Sequence, residues 1–316
     1  MVTSEQTHRS NDLETARAAV LARYAPGTRV RRIDWSGGGT QVLELGDGPP
    51  LLLVHGAFAA ASFWIPIFPA LARTRRVLAV DLPGHGLADP FDYRSVDLFE
   101  QASTFLGDVL DALGLECVDL VGNSFGGFCS VAFALRVPER VSRLLLVGAP
   151  FGVTRGLPLP LLVMGLPGIG IPLARLMMSN PTRENTRKFW GQIVVAHPER
   201  VDDTVLDADV ASTRRNLETD LSFIQAVRSL RGFGLGLRRD LMLGKRWLEL
   251  ETRTLYLCGD RDAFVSRRAR RTWERILAEN QHIGFVPVPD AGHLPWIDDP
   301  QRVVGEIERF LTTEDP

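Results

Sequence analysis

Gly122-Asn123-Ser124-Phe125-Gly126 constrains the chain more tightly than any other stretch. It stands between the strand-like run Val118-Asp119-Leu120-Val121 and a helix-like run from Gly127 to Leu135. A strand that passes into a helix through so few residues must turn sharply, and the middle residue of a G-x-S-x-G turn sits at strained backbone angles. Glycine two places before and two places after the serine removes Cβ atoms that would collide as the helix folds back over the strand. The hydroxyl is thereby lifted to the top of a sheet, beside the positive N-terminal end of the helix. A glycine/serine loop that merely caps a helix is the plainer interpretation. A strand before and a helix after supply the context in which the serine becomes a nucleophile, so Ser124 is the candidate.

The organisation of the chain fits that turn. Arg29 to Trp35 and Gln41 to Leu45 read as two strands joined by Ser36-Gly37-Gly38-Gly39. The glycine run is no dinucleotide fingerprint, because no helix follows it and the spacing is wrong. From Leu51 onward, apolar strands alternate with amphipathic stretches such as Ser62 to Ala72 and Ser95 to Leu113. The alternation implies an α/β fold with a mostly parallel sheet covered by helices on both faces. After the strand Arg143 to Val147 the rhythm stops, and no clear strand returns before Thr254. No structureless loop of that length belongs in a compact domain. Helical patterns at Arg183 to Ala196 and Asp220 to Arg231 suggest an inserted helical cap. The expected division is residues 1–28 as an N-terminal extension, 29–150 with 251–316 as the catalytic domain, and 151–250 as the cap. In the extension, Asn11 or Asp12 could cap a helix over Leu13 to Tyr24, ended by Pro26 and Gly27.

Four further segments follow short apolar strands in order: His55-Gly56-Ala57-Phe58, Asp81-Leu82-Pro83-Gly84-His85-Gly86, Gly259-Asp260-Arg261-Asp262 and Gly292-His293-Leu294-Pro295-Trp296. With the serine turn, they make the chain resemble the α/β-hydrolases, in the cap-bearing serine branch that holds esterases, lipases, C–C bond hydrolases and cofactor-free haloperoxidases. The resemblance runs from about Val30 to Leu311 and is weakest from about Phe151 to Glu249. It implies an eight-stranded sheet with the cap inserted after the sixth strand. It also implies that His293, in the loop after the last strand, is the base, a role that His8, His197 and His282 have no placement to claim. The acid in such proteins stands three positions after the glycine that ends its strand, which points to Asp262. Asp260 competes for the role and would otherwise cap the turn or pair with Arg261. An acid after the sixth strand is excluded, since Gly148-Ala149-Pro150-Phe151-Gly152 carries no carboxylate. Backbone N–H groups of Phe125, at the helix N-terminus, and of Ala57 are the expected oxyanion donors. His55 and His85 read as structural histidines of their turns.

Serine at position 124 points to acyl transfer, because related enzymes that work through an alkyl-ester intermediate carry aspartate there. The function expected is hydrolysis of a small to medium, apolar carboxylic ester or similar acyl compound. A C–C bond, lactone or amide hydrolase with the same triad is the alternative, and a non-catalytic ligand-binding receptor on this fold is a third. Asn123 also occurs in C–C bond hydrolases, whereas His55-Gly56-Ala57-Phe58-Ala59-Ala60 lacks their glycine-proline-glycine loop. No cofactor or metal motif is seen. The net charge of −2 argues against a nucleic-acid partner, and the run Arg267, Arg268, Arg270, Arg271 and Arg275 reads as the solvated face of a helix. Cys117, Cys129 and Cys258 have neither disulfide nor metal spacing. Without a signal-peptide layout at Met1 to Asp12, a cytoplasmic protein is expected. Pro158, Pro160, Pro167 and Pro172 interrupt the apolar stretch Gly156 to Met178, which favours a cavity-lining cap over stable membrane insertion.

Overall fold

Eight strands make one sheet: β1 (Arg29–Trp35), β2 (Gly38–Leu45), β3 (Pro50–Val54), β4 (Arg76–Val80), β5 (Val118–Gly122), β6 (Val141–Val147), β7 (Thr254–Gly259) and β8 (Ile283–Val288). This computed structural model describes residues 4–153, 157–228, 237–265 and 271–313, apart from 272, 274 and 277. The strand order is β1-β2-β4-β3-β5-β6-β7-β8. β2 runs antiparallel to both β1 and β4, and all other pairs are parallel. The mostly parallel sheet expected from the alternation is thus present.

Strand periodicity builds two cores. Leu52 and Val54 join the apolar cluster on one face, while Leu51 and Leu53 join the cluster on the other. The first face is covered by α3 (Leu98–Leu113) and α4 (Ser124–Arg136), and the second by the C-terminal helix Pro300–Thr312. α3 starts later than expected, because the Asp97 carboxylate takes the Phe99 and Glu100 N–H groups, and it ends on Gly114 in the left-handed region at φ 68°. The stretch expected to be one helix over Ser62 to Ala72 is a 3₁₀ segment, Ala61–Ile67, followed by the single turn α2 (Phe68–Leu71). Pro66, inside it, has no N–H to give an α-helical ladder.

Between β6 and β7 lie α5 (Leu159–Met164), α6 (Gly170–Met178), α7 (Arg183–Ile193) and α8 (Asp203–Val227). α8 begins well before the expected Asp220, with the Asp202 carboxylate accepting from Thr204 N at 2.9 Å. The end of that helical pattern, up to Arg231, lies outside the described residues. The same holds for Arg267, Arg268 and Arg270, whereas Arg271 and Arg275 are exposed.

The first helix, α1 (Ser4–Tyr24), starts ahead of the expected cap at Asn11 or Asp12. Its polar early turns lie against α8, where Arg9 donates to Arg214 O and Arg215 donates to Ser10 Oγ. Arg17 is buried and bridges to Asp81 at 2.8 Å. Burial alone would raise the Asp81 pKa, but the Arg17 guanidinium and the Leu87 N–H hold it below the usual carboxylate range. α1 is thereby bonded into the turn after β4.

Candidate active site

Ser124 opens α4 with φ 51°, in the left-handed region that non-glycine residues rarely occupy. Neighbouring backbone holds it there. A Cβ on Gly126 would come within 2.3 Å of the Val54 and His55 carbonyl oxygens, and one on Gly122 within 2.6 Å of Gly126 O. Gly56 packs against the serine itself, since a Cβ there would lie 2.9 Å from Ser124 Cβ. This brings the His55-Gly56-Ala57 loop alongside the hydroxyl, with Ala57 and Ser124 on one cavity wall. Phe125, the other residue expected to offer an N–H, is the second residue of α4, and its fully buried ring stacks on Phe128.

His293 and Asp262 are both buried, and His293 Nδ1 lies 2.9 Å from Asp262 Oδ2. Ala149 N also donates to Oδ2, and Phe264 N donates to Oδ1, each at 2.9 Å. A carboxylate can only accept, so the shared proton sits on Nδ1 and leaves Nε2 as the free lone pair. Nε2 has no hydrogen-bond partner among the described residues. The Phe264 ring lies over the imidazole with centroids 4.2 Å apart. Asp260 is exposed and does not pair with Arg261, which bridges instead to Asp290 at 2.7 Å.

Two residues that the sequence left unassigned as partners of the histidine loop hold it in place. Asn123 Nδ2 donates to Val147 O at 2.6 Å and to His293 O at 3.2 Å, tying the serine turn to that loop. Asp298 accepts from Gly292 N at 2.8 Å, from His197 N at 2.9 Å and from Ala196 N, so it clamps the loop to the chain that follows α7. His55 and His85 are structural, as expected. His55 Nδ1–H donates to Gly56 O at 2.6 Å and Nε2 accepts from Leu82 N at 2.9 Å. Burial lowers the His55 pKa to about 4 and the His85 pKa to about 3, so both rings are neutral.

Ser124 and His293 open onto a cavity of about 780 Å³. Its far wall comes from α5 to α8, with Leu161, Leu162, Met164, Phe189 and Trp190 turned inward. Ile169, in the apolar stretch expected to line a cavity, is 63% exposed instead.

A mostly parallel eight-stranded sheet with a strained serine at the turn from β5 into α4 defines an α/β-hydrolase architecture. The chain belongs to the alpha/beta hydrolase family, whose profile it matches over residues 51–306. It is 32% identical over 262 residues to 2-hydroxy-6-oxononadienedioate/2-hydroxy-6-oxononatrienedioate hydrolase 2 of Pseudomonas putida, covering 80% of this chain and 83% of that protein. It is 44% identical over 127 residues to 2-hydroxy-6-oxo-2,4-heptadienoate hydrolase of Pseudomonas putida strain F1, but that match spans 37% of this chain and only 45% of the relative. Among solved structures, carboxylesterase CesB of Bacillus subtilis superposes with a TM-score of 0.75 at 19% identity, covering 98% of this chain and 100% of that one. The meta-cleavage product hydrolase CumD of Pseudomonas fluorescens IP01 gives 0.69 at 23% identity, covering 89% and 97%. At these identities the structural likeness is one of fold. Among the described residues, no helix is long and apolar enough to cross a membrane.

Proposed function

We propose that the protein is a serine hydrolase of small to medium, apolar carboxylic esters or related acyl compounds. Ser124 is its nucleophile, His293 its base and Asp262 the acid that orients the base. The observation that carries this reading is that a strained serine and a histidine whose Nδ1 is bonded to a buried carboxylate both line one apolar cavity. A free serine hydroxyl is a weak nucleophile, and His293 Nε2 takes its proton as the oxygen attacks the acyl carbon. The developing oxyanion lies between the Ala57 and Phe125 N–H groups, each of the kind worth about 10²–10³ in kcat. Nε2 then protonates the leaving alcohol, and water attacks the acyl-serine by the same route in reverse. Residues 151–250 act as the cap that selects the substrate. Cys117, Cys129 and Cys258 form no disulfide, which accords with a cytoplasmic setting.

Hydrolysis of a C–C bond in a dienoate is the second reading. It is favoured by a relative that is 32% identical over 80% of the chain and by Asn123 beside the nucleophile. The purified protein should label with a fluorophosphonate at Ser124 and turn over short p-nitrophenyl esters. Ser124→Ala should lose the label and several orders of magnitude of rate while remaining folded. Activity within tenfold of the parent would end the nucleophile assignment. Faster turnover of a 2-hydroxy-6-oxo-dienoate than of any ester would transfer the reading to C–C cleavage.

A further inference from the structure

The cavity wall is chemically uneven. α5 and α6 present apolar side chains alone, such as Leu161 and Met164, whereas α7 and α8 set Asn185, Thr186, Asp209 and Thr213 among apolar residues. Asp209 and Thr213 stand one helical turn apart on α8, so they share a face. Asp209 is the sole carboxylate on the wall among the described residues, and it is 7% exposed. Trp190 Nε1 donates to its Oδ2 at 2.7 Å, and among the described residues it has no salt bridge. One neutral donor satisfies a fraction of the roughly four lone-pair positions a carboxylate offers. An acid buried that way is costly to hold unless something else donates to it. An asparagine or glutamine could accept the Trp190 N–H as well.

We infer that Asp209 is a specificity residue that accepts a hydrogen bond from a hydroxyl or ammonium group carried by the substrate away from its acyl carbon. The substrate class is then an amphipathic acyl compound, apolar over most of its length and donor-bearing where it meets Asp209 on α8. Burial raises the Asp209 pKa to about 7, with the Trp190 bond opposing, so a donor ligand finds a carboxyl that it can pull into the ionised form. The inference rests on the proposed function only in taking this cavity as the substrate site.

The test is binding without turnover. Dissociation constants of 1-hexanol, 1,6-hexanediol and 6-amino-1-hexanol, with their shorter and longer homologues, are measured by calorimetry on the parent, Asp209→Leu and Asp209→Asn. In the parent, the diol or the amino alcohol of matching length should gain on the plain alcohol by about tenfold relative to Asp209→Leu. Asp209→Asn keeps an acceptor for Trp190. A preference it retains identifies a hydroxyl as the donor, and one it loses identifies an ammonium. The same ratio of affinities in all three proteins overturns the inference. If the leucine variant does not fold, the asparagine variant carries the comparison with the amino alcohol. A protein that binds selectively but hydrolyses no ester would refute the esterase reading and leave Asp209 in its role.

Discussion

Asp262 gathers the Ala149 and Phe264 N–H groups along with His293 Nδ1, so its ionised form is well supplied with donors and the imidazole has one orientation available. Asp262→Asn replaces an acceptor by an amide that can present N–H to Nδ1 and favour the wrong tautomer. It should lower kcat on p-nitrophenyl butyrate by about 10³–10⁴. Asp260→Asn, on an exposed side chain, should stay within about twofold, as surface changes usually do. The reverse ranking would show that the acid was assigned to the wrong aspartate. Asp298→Ala removes the acceptor shared by Gly292, Ala196 and His197. Since the histidine loop is held partly by these bonds, kcat should fall by about tenfold or more with KM little changed. A far-ultraviolet spectrum and melting point close to the parent's would separate loss of loop position from loss of fold.

At the scale of elements, the turn from β5 into α4 fixes how closely helix and sheet approach. Glycine-to-alanine within a helix normally stabilises by about 0.5–1 kcal/mol. Gly126→Ala should do the opposite, because its Cβ would meet two backbone carbonyls that no side-chain rotation can move away. A melting temperature equal to or above the parent's would contradict the packing described. If the proposed function holds, the wall made by α5 to α8 should set substrate length. Apolar lining favours longer acyl groups by ~0.8 kcal/mol per buried CH₂, so kcat/KM should climb from p-nitrophenyl acetate through butyrate and hexanoate until the cavity is filled. A steady fall from acetate onward would mean that the acyl group does not enter this cavity.

For the whole molecule, buried titratable groups pull stability in opposite directions over one pH range. His55 and His85 have folded pKa values of about 4 and about 3, below the ordinary histidine range near ~6.5. Between those limits the unfolded chain binds protons that the folded chain refuses, so their contribution is complete above ~6.5 and is lost as pH falls. Asp209 is raised to about 7. From the ordinary aspartate range near ~4 up to 7, the folded chain holds a proton that the unfolded chain has released, and stability falls as pH rises. Asp209→Asn should therefore shift the change in stability from pH 7 to pH 4 toward loss, and His85→Asn should shift it toward gain. Urea unfolding midpoints across that range would show it. Parallel curves for parent and Asp209→Asn would mean that Asp209 is ionised in the folded protein at neutral pH.

Strands and the serine turn were legible in the chain, because each depends on a short run of neighbours, whereas Asp262 and His293 were singled out through the resemblance. Apolar runs of strand length mark the sheet, and glycine marks where backbone must pass backbone. Ser124 could be found because the constraint on it, room for α4 over β5, is written within two residues on either side. Other features rest on contacts between residues far apart in the chain. The ion pair of Arg17 with Asp81 and the clamp of Asp298 on the histidine loop have no local signature. Asp209 is one aspartate in a polar helix until α7 sets Trp190 against it and closes the cavity over both. Periodicity tells which residues face inward. What lies opposite them, and so what a buried charge can bond to, is decided only when the helices pack.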